Sequence, residues 1–155
     1  MRRLRRTEGG FAVLEFAAML PFMFLMIVIV AEVARAFYDY TTLHKITQTG
    51  ARYASEHILN SLQLPDLSSE LQADVARLVV TGSLKDDPEE PALLEGLSTD
   101  DVTVSSRVLG FYEPHVEVHV SWQFRPLFSD FSLLSEDSPF RTGFTMESRI
   151  IMRAM

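Results

Sequence analysis

EGGFAVLEFAAMLPFMFLMIVIVAE, residues 8–32, decides how the rest of the chain is read. From Phe11 to Ala31 there are 21 residues, and only Glu15 and Pro21 interrupt the apolar run. At 1.5 Å per residue a helix of that length is roughly 30 Å long, the thickness of a bilayer's hydrocarbon core. A helix in the core of a small soluble domain keeps one polar face, and this stretch has none. The expectation is a single transmembrane helix over residues 11–31. Arg2, Arg3, Arg5 and Arg6 precede it against Glu8 alone, whereas Glu32 and Arg35 follow it. That asymmetry predicts a basic cytoplasmic leader over residues 1–10, with residues 32–155 as a periplasmic head outside a bacterial inner membrane. Pro21 removes one backbone hydrogen bond and predicts a bend inside the span.

The 155 residues leave room for one domain beside such an anchor. The net charge is −7, concentrated beyond residue 10, where 20 acidic side chains face 10 basic ones. An acidic head disfavours nucleic acid and anionic lipid as partners. With no cysteine in the chain, the head must hold together without disulfides.

Beyond the span the helical pattern continues. Ala36, Tyr40, Leu43, Ile46, Gly50, Ala54 and Ile58 recur in steps of three and four, so the helix is expected to run on over residues 32–59. Gly50, Ala51 and Ala54 are small enough to admit a neighbouring element closely. A second helix is expected over 66–81, with Asp66 or Ser68 as its cap and Gly82 at its end. Residues 84–100 contain KDDPEEP and read as an acidic, solvated loop.

The period then changes to two. In HVEVHVSWQF, Val116, Val118, Val120, Trp122 and Phe124 alternate with His115, Glu117, His119, Ser121 and Gln123, a half-buried strand over 115–124. DVTVSSRVL makes a strand over 101–109, GFYEP reads as the turn of a hairpin, and FTMESRIIMR gives a third strand within 143–153. The fold class is therefore α+β: a long N-terminal helix packed on a small antiparallel sheet of about three strands. The expected shape is a lollipop, its stem in the membrane.

Little catalytic chemistry is written here. There is no G-x-S-x-G, phosphate loop or H-E-x-x-H, cysteine chemistry is impossible, and neither an enzyme nor a cofactor is expected. His115, Glu117 and His119 share one strand face at steps of roughly 6.8 Å and are the candidates for a metal. Their face is expected to be the solvent face, and spacing supplies no fourth ligand. A membrane-anchored periplasmic module that binds a metal or another ligand through this face is the alternative to the reading below.

Glu15 remains to be explained. A carboxylate at the centre of a membrane helix costs roughly 2.5–3.5 kcal/mol, and less near the interface, so a plain signal anchor could tolerate it. A secretory signal cut after Ala34-Arg35-Ala36 is a second possibility, but its apolar region would be too long and would contain an acid. A third reading covers more residues. A basic leader ending in Gly10, an apolar residue Phe11 after the scissile bond, and Glu15 at the fifth place of the mature chain resemble a prepilin signal. Glycine before the bond lets the chain extend into a membrane protease unobstructed. Cleavage would leave an ammonium on Phe11, and Glu15 of one subunit could pair with the Phe11 ammonium of the next, fixing their register.

The stretch from Glu8 to Ala54 is similar to the TadE-like proteins of tight-adherence (Flp-type) pilus systems. The matching blocks are the glycines, Leu14–Ala17, Leu20–Pro21, Glu32 with Arg35, and Gly50–Ala54. VEVHVSWQFRPLFSDFSLL and TMESRIIMR resemble that family's C-terminal strands and their connection, while residues 60–100 carry no match. Leu14 stands where valine is commoner, and a disulfide found in the head of some relatives has no counterpart here. The resemblance implies a minor pilin or pseudopilin, processed by a prepilin peptidase and assembling with other pilins and the inner-membrane pilus machinery for surface adhesion.

Overall fold

The computed structural model describes residues 9–59, 67–85, 90–109, 113–127 and 143–154. The architecture is α+β, as the two hydrophobic periods require. Helix α1 spans Gly9–His57, α2 spans Ser69–Thr81, and a short 3-10 turn over Thr99–Asp101 leads into the sheet. Strands β1 (Val102–Leu109), β2 (Glu113–Phe124) and β3 (Phe144–Arg153) form one antiparallel sheet in the order β1-β2-β3. The basic leader over 1–8, the turn at 110–112 and most of the β2–β3 connection lie outside the described residues. So does Asp66; α2 starts at Ser69, with the Ser68 hydroxyl accepting from the Leu71 amide.

The chain divides into two compact units, Met1–Ala36 and Phe37–Met155. In the first, α1 is exposed on all sides from Gly10 to Ile27, and it continues as helix across Pro21. Its hydropathy is high enough, and its length great enough, to cross a membrane.

In the second unit α1 buries Leu43, Ile46, Thr47, Gly50, Ala51, Ala54 and Ser55, a stripe in steps of three and four. Two of these are polar, and each hydroxyl donates to its own helix: Thr47 to the Leu43 carbonyl at 2.7 Å and Ser55 to the Arg52 carbonyl at 2.8 Å. Their cost of burial is thereby removed. Tyr40, expected in the stripe, is 46% exposed.

At Gly50 it is α2 that approaches α1 closely. The Val79 methyl groups press on Gly50, with Val75 beside them, and a side chain at position 50 would overlap Val79. Helix α2 buries Leu71, Val75, Ala76, Val79 and Val80 and packs along β1. On β3, the Ser148 hydroxyl lies 3.4 Å from His44 Nδ1 of α1. Both helices thus lie over the apolar face of the sheet, where Val116, Val118 and Val120 are fully buried. Each such valine contributes about 1.5–3 kcal/mol relative to exposure.

Within the described part of the acidic loop, residues 90–98 bury Leu94 and Leu97, and the Leu93 amide donates to the Val80 carbonyl at 2.8 Å. The Trp122 indole N–H donates to the Glu95 carbonyl at 3.0 Å. Ser98 and Asp101 then close a capping box that launches β1. Leu94 and Leu97 give this segment apolar surface to bury, and Trp122 needs an acceptor for its buried N–H.

Candidate functional site

Two places carry the residues singled out by the sequence. The first is the N-terminal end of α1. Gly10, Phe11 and Glu15 are all helical and all exposed, Phe11 by 74%. Phe11 and Glu15 are four residues apart, so they occupy neighbouring turns on one side of the helix. A methyl group built on Gly10 would meet nothing within 4 Å. This contrasts with Gly50, which close packing demands, and with Gly143, whose φ of 73° and proximity to the Phe124 carbonyl demand it. In a helix, glycine costs about 1 kcal/mol against alanine. No contact among the described residues explains Gly10, and glycine there weakens the first turn of α1.

Further along, Pro21 lies inside the helix between exposed Leu20 and Phe22. Glu32 and Arg35 approach to 3.9 Å at i,i+3 spacing, which partly neutralises both charges where the apolar run ends.

The second place is the sheet face opposite the helices. His115, Glu117 and His119 do share it, but it is not simply a solvent face. Glu117 is only 7% exposed, and its carboxylate lies 3.2 Å from Arg149 Nε. His119 Nε2 lies 3.6 Å from Glu147, a full ion pair only when the imidazole is protonated. The register places His119 opposite Arg149 and Glu117 opposite Ile151, so both charge pairs run diagonally between β2 and β3. Cross-strand pairing therefore corrects the expectation: the long Arg149 side chain covers the carboxylate. Among the described residues no group of three or more histidine, aspartate or glutamate side chains is placed to hold a metal. On this face Glu117 with Arg149, and His119 with Glu147, pair across β2 and β3. Sequence reading missed Arg149 and Glu147 as partners because the strand register is invisible before the sheet is built.

No curated protein and no solved structure matches the chain. Residues 10–52 do match a family model, that of the TadE-like proteins. The match begins at Gly10 and takes in Phe11, Glu15, Pro21, the Glu32–Arg35 pair and Gly50, so the segment that carries the first site is similar to TadE-like proteins.

Proposed function

We propose that this chain is a minor pilin or pseudopilin of a tight-adherence (Flp-type) pilus, a structural assembly subunit and not an enzyme. A prepilin peptidase removes the leader between Gly10 and Phe11. The mature helix stays in the inner membrane with its N-terminus at the cytoplasmic side and the sheet-bearing unit in the periplasm. There it engages other pilins and the assembly machinery, contributing to pilus-borne adhesion.

The observation that carries this reading is the pairing of an unexplained glycine with an exposed acid five residues on. A methyl group on Gly10 would meet no described atom within 4 Å, and Glu15 stands on a helix otherwise apolar from Phe11 to Ala31. A carboxylate there is stabilised by a cationic partner. The Phe11 ammonium of a neighbouring subunit supplies one, and a slip in the stack would leave both charges unpaired. The test is Glu15→Ala in the native host. Processing and membrane insertion should be normal while surface pili are lost or sparse; pili at wild-type density in that variant would refute the pairing.

A further inference from the structure

Between the apolar run and the first buried side chain of α1 lies a group of aromatics that the described residues leave exposed. Phe37 is 67% exposed, Tyr38 71% and Tyr40 46%, whereas Leu43, three residues later, is fully buried. Exposed aromatics of this size, so close together, are unusual on a small acidic unit and call for a partner.

Their arrangement selects the kind of partner. At 100° per residue, positions 37, 38 and 40 spread over roughly 160° of the helix circumference. A docked helix or strand would favour a single stripe, whereas a fluid layer surrounds the helix. Tyrosine has an apolar ring with a polar tip, the combination enriched where hydrocarbon gives way to headgroups. The backbone is fitted to the same setting. Thr41 and Thr42 turn their hydroxyls back onto the Tyr38 carbonyl, at 2.8 and 3.0 Å, so these groups are satisfied without water. Length agrees as well. The 30 residues from Phe11 to Tyr40 amount to roughly 45 Å of helix, against roughly 40–45 Å for a bilayer with its headgroups.

We propose that Phe37, Tyr38 and Tyr40 form an aromatic belt seated in the lipid headgroup layer on the C-terminal side of the span. The contact is made by rings rather than cations, so it does not require anionic lipid and is compatible with the acidic charge of the unit. This inference rests on the membrane-anchor part of the proposed function and not on leader processing or pilus assembly.

The natural absence of cysteine makes the test direct. Single-cysteine variants Leu25→Cys, Tyr38→Cys and Gln48→Cys of the full chain are reconstituted alone in phosphatidylcholine vesicles and exposed to a water-soluble maleimide. Rates at 38 and 48 are compared within the same preparation type. The belt predicts that Cys at 38 reacts several-fold more slowly than Cys at 48, and that the difference vanishes once the membranes are dissolved in denaturing detergent. Equal rates at 38 and 48, with 25 still protected, overturn the belt and leave the anchor standing. Protection at 38 that appears only when other pilins are present also overturns it, in favour of a protein partner. Rapid reaction at 25 overturns the belt together with the membrane anchor.

Discussion

Gly50 is where the packing of the second unit can be tested most sharply, because two effects of known sign compete there. Replacing it with alanine favours the helix by about 1 kcal/mol. The new methyl, however, would overlap Val79 Cγ2 while meeting Val75 Cγ1 at an ordinary 3.5 Å. Val79 is β-branched and fully buried, so it has little freedom to step aside. Overpacking of this kind costs about 1–3 kcal/mol, which leaves Gly50→Ala destabilising by about 1 kcal/mol. Val79→Ala alone removes two buried methyl groups and costs about 2–3 kcal/mol with its cavity. In that background the overlap is gone, and Gly50→Ala should then stabilise by about 1 kcal/mol. The predicted coupling is therefore about 2 kcal/mol, inside the range found for side chains in direct contact. Denaturant unfolding of the full chain in detergent micelles provides the assay, with Trp122 as the single tryptophan and hence a reporter of the second unit alone. A Gly50→Ala chain more stable than the parent, or a coupling below about 0.5 kcal/mol, would refute the claim that α2 is seated on this glycine.

Three further perturbations follow from the same contacts. Gly143→Ala forces a side chain into a left-handed conformation at about 1–2 kcal/mol and drives it against the Phe124 carbonyl, so the unfolding midpoint must fall; an unchanged midpoint contradicts the register of β3. Ser68→Ala removes the hydroxyl that accepts from the Leu71 amide and should cost about 1 kcal/mol in the same assay, with Ser68→Asn restoring most of it. Arg149→Ala strips the guanidinium from the buried Glu117 carboxylate and should cost about 1–3 kcal/mol, whereas a loss no larger than that of an exposed control such as Arg52→Ala would contradict the cross-strand pairing.

The sequence made the elements legible because each has a clean period. HVEVHVSWQF alternates so regularly that its buried apolar residues, Val116, Val118, Val120, Trp122 and Phe124, are the ones expected. The stripe on α1 was legible for Leu43, Ile46, Gly50 and Ala54. It was not for Thr47 and Ser55, whose hydroxyls find acceptors on their own helix and so enter the core under a polar letter. Leu94 and Leu97 escaped notice because they lie in an aperiodic, charged stretch and pack only once Trp122 reaches the Glu95 carbonyl. Glu117 was assigned to water because alternation specifies a face but not what lies across it. The first site was legible for the opposite reason: Gly10, Phe11 and Glu15 form a pattern along the chain itself and need no tertiary contact. Their spacing stands in the sequence, and in the structure a methyl group on Gly10 would meet no described atom within 4 Å.

The central claim is that a peptidase frees the amine of Phe11 and so gives Glu15 its partner. N-terminal sequencing, with intact mass, of the protein isolated from its native host tests it most directly. The account predicts a mature chain that begins at Phe11, lacking the ten residues before it. A chain that retains its leader arginines, or one that begins at Phe37, would contradict it.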